Sequence, residues 1–185
     1  KELKNKNIKI KRRKIEISNE ANSYTEEVRR AIKNEYGFEK LYTQGLTIKS
    51  PLDIEFQKHA INSLRKGIES YDRRHGWRGP ITNKNSDTNW KSKLDNYTLD
   101  PTLGWKKAEI TEVLDNHIEL KTKKENNIKI YKDKLKWAIG KKDLADSFNN
   151  GDFVFLKKNK EKWSLKQFPE VNGGIVALDP FTGEV

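Results

Sequence analysis

The sequence contains no cysteine and no methionine among its 185 residues. Without cysteine there are no disulfide bonds, thiolate metal sites or cysteine nucleophiles. No run of eighteen apolar residues occurs, so no transmembrane helix is predicted, and the polar first residues lack the apolar core of a signal peptide. Because the sequence begins at Lys1 rather than at a start methionine, we expect it to be a segment of a longer chain.

Positive charge is abundant but unevenly placed. The chain carries 38 Lys and Arg against 27 Asp and Glu, a net charge of +11. Residues 1–14 hold eight of the basic side chains and one acid, so residues 15–185 are nearly balanced. Such a basic arm can bind nucleic acid or an anionic membrane surface. We favour simple compositional bias toward Lys, Asn and Ile, because the isoleucines at 8, 10, 15 and 17 also alternate as in an extended strand.

A helix and a short strand are predicted before residue 50. Ser23 and Glu26 have the spacing of a capping box, in which each side chain bonds the other residue's backbone N–H. The helix that starts there should end at Gly37, where a left-handed residue is favoured. Residues 46–48 alternate apolar and polar side chains and predict a strand.

A long amphipathic helix follows. Asp53 is predicted to cap it, and apolar residues repeat at helical spacing for about five turns, ending before Gly76. Residues 76–104 are rich in Gly, Pro, Asn and Ser and predict a long loop with one helical turn at 90–94.

From Trp105 onward the apolar period becomes two. Turn-forming residues separate the alternating pairs, and a small helix is predicted at 142–148. This pattern predicts a small antiparallel barrel of the OB type. The pairs are Ala108/Ile110, Ile118/Leu120, Ile128/Ile130, Phe153/Phe155 and Trp163/Leu165.

The last seventeen residues have a different pattern. Residues 175–178 are continuously apolar, which predicts a strand buried on both faces. Residues 179–183 have the composition of a tight turn, so a hairpin partner should follow and the sequence should be cut here. With little to bury it, the 175–178 strand is expected to be frayed or exposed in the isolated chain.

The usual catalytic residue types are present without the spacing that chemistry requires. Ser63 and Lys66 match the Ser-x-x-Lys spacing, but they should lie on a wet helix face where the lysine keeps its proton. Gly173-Gly174 lacks the third glycine of a phosphate loop. Isolated histidines and helix-start acids complete the set: His59, His75, His117, Glu26 and Glu27. We therefore predict no catalytic residue, no metal site and no cofactor.

Six aromatic side chains fall in the barrel region. OB barrels that bind single strands stack bases on aromatic rings and follow phosphates with lysines. The simpler interpretation, which we favour, is that the rings fill the core of a small barrel. The six are Trp105, Tyr131, Trp137, Phe153, Phe155 and Trp163.

Four stretches carry a family resemblance: residues 24–30, residues 41–48 continuing into 52–53, residues 71–80, and residues 169–180. In this order and spacing the chain resembles the middle of a class A penicillin-binding protein, a bifunctional peptidoglycan synthase. The resemblance frames residues 24–185, although residues 104–168 resemble the family only weakly.

The resemblance implies an α+β fold, mainly β, with a small OB-like antiparallel barrel inserted in an N-terminal helix-plus-strand segment of a transpeptidase domain. The expected organisation is a basic linker at 1–22, the transpeptidase segment at 23–75, the OB-like domain at 76–168 and a truncated return strand at 169–185. The family's glutamates for glycosyl transfer would lie upstream and its transpeptidase serine downstream, so Ser63 is not the family nucleophile.

The function implied is a non-catalytic region that positions the glycosyltransferase and transpeptidase domains and docks a regulatory protein. The expected location is the periplasmic face of the bacterial inner membrane, near peptidoglycan, in a membrane-anchored parent protein, with no nucleic-acid partner. The alternative is a free-standing nucleic-acid-binding OB module with a basic N-terminal arm.

Overall fold

The computed structural model describes residues 19–184. The extended segment predicted around residues 8–17 lies outside the described residues. The rest divides into two compact units, residues 63–174 and the described parts of residues 1–62 and 175–185. Among the described helices, none is both long enough and apolar enough to cross a membrane.

The first unit begins with helices. A 3-10 turn, Asn19–Ala21, leads directly into α1 (Asn22–Tyr36), which is followed by α2 (Phe38–Thr43). The predicted capping box is wrong, because the 3-10 turn makes Ala21 the N-cap and places Ser23 inside the first turn. The predicted end is confirmed: Gly37 has a φ of +85° and donates its backbone N–H to the Lys33 carbonyl at 2.9 Å.

Helix α3 spans Ile54–Arg74. Its predicted cap is confirmed, because the Asp53 carboxylate accepts the backbone N–H groups of Glu55 at 2.8 Å and Phe56 at 3.1 Å. These bonds satisfy two of the donors that a helix start leaves unpaired.

Two predicted strands of the first unit are wrong. Residues 46–48 and 175–178 form no strand among the described residues. Both segments are exposed, with Val176 71% accessible, so the exposure expected of residues 175–178 is confirmed. A strand requires a neighbouring strand to pair with, and alternation or apolarity alone does not provide one. The predicted turn at 179–183 is present, with Asp179 accepting the backbone N–H groups of Phe181 and Thr182.

The second unit is a six-stranded antiparallel sheet with one short and five longer strands. The strands are β1 (Thr82–Asn83), β2 (Trp105–Val113), β3 (His117–Lys121), β4 (Ile128–Tyr131), β5 (Asp152–Asn159) and β6 (Lys162–Lys166). The predicted pairs lie on β2 to β6, so this part of the fold is confirmed. The strand β1 was not predicted, because it is two residues long.

Strand β5 organises the sheet. The order is β1-β5-β2-β3-β4, and β6 also pairs with β5, beyond the end of β1. The described strands therefore form an OB-like sheet that is not closed by a ladder between β4 and β6, in contrast to the predicted barrel.

Four helical segments lie between the described strands of the sheet, and one of them is a 3-10 turn at Pro101–Leu103 just before β2. The predicted turn near residue 90 is α4 (Trp90–Asn96), and a 3-10 turn at Leu144–Asp146 lies within the predicted helix at 142–148. Helix α5 (Lys132–Ile139) was not predicted, although it buries Leu135 and Ile139. It follows β4 without a loop, so the change from strand to helix lacks a turn signal.

The main core lies on one face of the sheet. It joins inward residues of the five long strands to α5 and the 3-10 turn at Leu144–Asp146, and its largest member is Phe148, 1% accessible. The strand members are Ala108, Ile110, Ile118, Leu120, Ile128, Ile130, Val154, Leu156 and Leu165.

A second buried layer occupies the opposite face of β2 and β5. Trp105, Phe153 and Phe155 are each at most 9% accessible. Phe153 stacks on Trp90 of α4 at 5.1 Å between ring centroids, and Phe155 contacts Tyr97 edge-on. The segment of residues 90–97 therefore covers a sheet face that would otherwise expose aromatic rings.

Candidate functional site

A buried ion pair lies where the chain enters the OB-like domain. Asp72, in the last turn of α3, is 3% accessible. Arg78 donates to both of its carboxylate oxygens, Nη1 to Oδ1 at 2.9 Å and Nη2 to Oδ2 at 3.1 Å. This bidentate geometry is the strongest form of Arg–carboxylate pairing. We call Asp72, Arg78, Gln167 and Glu170 the joint.

Gln167, where the chain leaves the sheet, completes the joint. Its Nε2 donates to the Asp72 carboxylate at 2.8 Å and to the Gly76 carbonyl at 3.0 Å, and its Oε1 accepts the Arg78 backbone N–H at 2.9 Å. Arg78 also donates to the Phe168 carbonyl at 2.7 Å. Arg78 precedes the sheet in the sequence and Gln167 follows it, and both bond to the Asp72 carboxylate in the last turn of α3.

The charge state of Asp72 depends on these partners. Burial by itself would raise the pKa of the carboxyl. Hydrogen bonds from Arg78, Gln167 and the Glu170 backbone N–H outweigh burial and hold the pKa of Asp72 below its ordinary value. The same pairing raises the pKa of the Arg78 guanidinium. At neutral pH the Asp72 carboxylate is therefore negatively charged and the Arg78 guanidinium is positively charged.

The returning chain also packs along α3. Lys166 pairs with Glu69, and Arg73 donates to the Leu165 carbonyl at 3.0 Å. At Gly173 a side chain would meet Leu64 at 3.2 Å from its Cβ, so glycine permits the close approach of this segment to the helix. The joint is thus one end of a longer contact between α3 and residues 165–173.

A groove of about 570 Å³ lies on the aromatic side of β2. Leu94, Tyr97, Leu99, Trp105 and Phe153 contribute apolar lining, and residues 121–125 form another part of the wall. The indole N–H of Trp105 is buried and finds no acceptor among the described residues. A buried donor without a partner is uncommon in folded proteins.

The predicted candidate residues are not brought together. Ser63 and Lys66 are both exposed on α3. His117 lies 3.4 Å from Glu119 on β3, while His59 and His75 belong to α3 and the turn after it. Within residues 19–184 no group of three His, Asp or Glu side chains could hold a metal ion.

Most of the six aromatic side chains are covered, as the core interpretation predicts. Trp137 and Trp163 pack against the main core, and Trp105, Phe153 and Phe155 belong to the second layer. Only Tyr131, 54% accessible, is exposed among the six. Bases stack on open aromatic faces, so these rings are not arranged as a stacking platform.

Sequence reasoning missed the joint. A usable signal was present, because Asp72 places an acid in the last turn of α3, where the helix dipole disfavours negative charge. An acid in that position requires a compensating partner, and Arg78 follows six residues later. Gln167 could not have been assigned, since its role depends on the path of the chain through the sheet.

Comparison with known proteins gives one family throughout. The family described as the penicillin-binding protein OB-like domain matches residues 77–171. Penicillin-binding protein 1A of Rickettsia conorii is 37% identical over the whole chain, which spans 24% of that relative. Penicillin-binding protein 1A of Escherichia coli is 26% identical over 92% of the chain and 22% of the relative. The chain therefore spans about a quarter of the length of these curated relatives.

A solved structure agrees with this at the level of the fold. Penicillin-binding protein 1A from Haemophilus influenzae matches 80% of the chain and 22% of its own chain, with a TM-score of 0.57 and 22% identity. The residues that the family model matches include the six strands and α5. The chain belongs to the penicillin-binding protein OB-like domain family.

Proposed function

We propose that this chain is the non-catalytic OB-like region of a bifunctional peptidoglycan synthase, and that it positions the glycosyltransferase and transpeptidase domains of that protein. Residues 23–75 and 169–185 would belong to the transpeptidase domain and residues 76–168 would be the inserted domain. The catalytic residues of both reactions would lie outside this sequence. The parent protein would be anchored in the inner membrane with this region on the periplasmic side.

The observation that supports this proposal is the joint. An inserted domain is attached by two chain segments, and flexible attachment would let it rotate freely. Here both segments bond to Asp72 at the end of α3. The two attachments act as one, so the inserted domain keeps a fixed orientation on the C-terminal half of α3, which belongs to the same unit.

The joint can be tested in the full-length synthase. Arg78→Ala should leave penicillin acylation unchanged, because no joint residue is catalytic, and should lower the number of cross-links formed per polymerised glycan. Arg65→Ala is the matched control, since Arg65 forms a more exposed pair with Asp100 at 2.8 Å. If Arg78→Ala loosens the attachment of the inserted domain and still forms as many cross-links as wild type, the proposal that this domain positions the catalytic domains would be refuted.

The same region also presents loops that could receive a regulatory protein, as the family resemblance implies. Deleting residues 80–166 from the full-length synthase separates the two roles. Loss of stimulation by a regulator with normal basal cross-linking would support docking alone. Unchanged activity together with unchanged regulator binding would refute both roles.

A further inference from the structure

We infer that the groove on the aromatic side of β2 binds an extended acidic peptide segment of a partner protein, with one apolar side chain inserted as an anchor. This inference names the binding site for the regulator docking proposed above and rests on it. The lining of the groove, its rim charges and an unsatisfied donor each indicate this class of occupant.

The lining is suited to an apolar anchor. The apolar lining residues of the groove include Leu94, Tyr97, Leu99, Trp105 and Phe153. A concave apolar site of about 570 Å³ is large enough to enclose a few side chains and too small for a folded domain. Affinity in such sites is concentrated in one or two anchoring side chains.

The rim carries unpaired positive charge. Lys106, Lys123 and Lys124 are exposed and form no ion pair among the described residues. The other lysines are occupied: Lys121 pairs with Glu109 at 3.2 Å, and Lys107 donates to the Leu94 carbonyl.

The acids of the groove do not cancel this charge. Glu109 pairs with Lys84 as well as Lys121, and burial, which would raise its pKa, is outweighed by these two lysines. Glu125 pairs with Lys158 at 3.1 Å, which leaves Asp95 as the exposed acid. The three free lysines therefore outnumber the one free acid, and carboxylates of a partner complement them.

One residue that lines the groove also has a buried side-chain donor without an acceptor. Trp105 is 6% accessible and its indole N–H is unsatisfied within residues 19–184. A peptide provides carbonyl and carboxylate acceptors, whereas an apolar ligand would provide none. A lipid surface would satisfy the lysines but would not enter a recess of this size, so a peptide is favoured over a membrane.

The test is a selection of random peptides of about twelve residues on the full 185-residue chain. The proposal predicts recovered peptides rich in Asp and Glu around a Leu, Phe or Trp. Replacing Lys106, Lys123 and Lys124 by Glu should weaken binding at least about tenfold, equivalent to about 1.4 kcal/mol. The matched control replaces Lys136, Lys141 and Lys142 by Glu. These lysines are exposed on α5 or just after it and lie outside the groove. This control changes net charge by the same amount and should bind as wild type does.

A second readout locates the site. In a ¹H–¹⁵N spectrum the indole signals of Trp105 and Trp163, which line the groove, should shift on peptide binding, while those of Trp77 and Trp137 should not. Leu99→Trp, which fills the groove without changing charge, should abolish binding in a chain with an unchanged circular dichroism spectrum.

Several outcomes would overturn the inference. They are peptides without acidic bias, equal losses in the groove and control variants, indole shifts confined to Trp77 and Trp137, or binding to phosphatidylglycerol vesicles with no selected peptide. These results would leave the joint untouched, because positioning is measured by cross-linking in the full-length synthase. Conversely, a failed joint experiment would not change the peptide result.

Discussion

Arg78 donates to both carboxylate oxygens of Asp72, at 2.9 and 3.1 Å, although one residue ends a helix and the other begins the path into a sheet. Asp72 is 3% accessible, whereas the Arg78 side chain is 30% accessible. A buried carboxylate that loses such a partner remains desolvated, so the pair is costly to break from one side.

Asp72→Asn should lower the free energy of unfolding by about 2 kcal/mol, because the variant keeps the size of the side chain and loses charged hydrogen bonds. Urea denaturation followed by tryptophan fluorescence measures this change. Asp133→Asn is the control, since the Asp133 pair with Lys134 is exposed and its loss should change the free energy of unfolding much less. Equal effects of the two substitutions would show that the joint does not stabilise the domain.

The pH dependence of stability should report the same carboxylate. The folded pKa of Asp72 lies below its ordinary value of 3.8, so its contribution is present above 3.8 and is lost as the pH falls through the folded pKa. The difference in melting temperature between wild type and Asp72→Asn should therefore be constant near neutrality and shrink in acid. A difference that grows in acid would contradict a lowered pKa.

Gly151→Ala should destabilise the domain by about 1–2 kcal/mol, mainly because alanine disfavours a left-handed backbone and partly because the Asn85 side chain must shift. Gly151 has a φ of +89°, and an added Cβ would lie 2.6 Å from Nδ2 of Asn85. Gly104→Ala separates strain from crowding, because Gly104 has a φ of +65° with nothing within 4 Å and should lose only about 1 kcal/mol. The urea concentrations at the unfolding midpoints of the two variants are compared. Equal losses of unfolding free energy would mean that the contact with Asn85 is unimportant.

Leu156→Ala should cost about 2–5 kcal/mol, because Leu156 is fully buried in the main core. Val176→Ala should change the free energy of unfolding by less than about 0.5 kcal/mol, since Val176 is 71% accessible. Thermal denaturation of both variants is sufficient. A large loss in Val176→Ala would indicate that residues 175–178 pack in solution.

The same two segments show what the sequence could predict. Residues 153–156 and 175–178 are both continuously apolar. Such runs are typical of strands buried on both faces, and on this ground the sequence predicts burial of residues 175–178. In the structure it is residues 153–156 that are buried on both faces, because β5 has the main core on one face and the aromatic layer on the other. A run of four apolar residues indicates that a segment favours burial. It does not identify the residues that would bury the segment, because these are distant in sequence.

Local patterns predicted local structure well. The Asp53 cap, the end of α1 at Gly37 and the five long strands depend on neighbouring residues. The joint and the groove depend on residues brought together from up to 98 positions apart, as Glu170 and Asp72 are. Period and propensity contain no information about such pairs, although the acid in the last turn of α3 was a local signal for one residue of the joint.

The position of β5 has a consequence for how the chain folds. Strands β2, β3 and β4 are consecutive and can pair as they emerge, but the other edge of β2 bonds to β5, which comes after α5. Until residues 152–159 are synthesised, β2 presents an open edge and Trp105 an uncovered ring. Non-local pairing of this kind is slow and leaves an unpaired strand edge open to aggregation. The nascent chain is therefore most vulnerable during synthesis of residues 114–151, and a substitution that delays β5 should reduce soluble yield more than it reduces the stability of the finished domain.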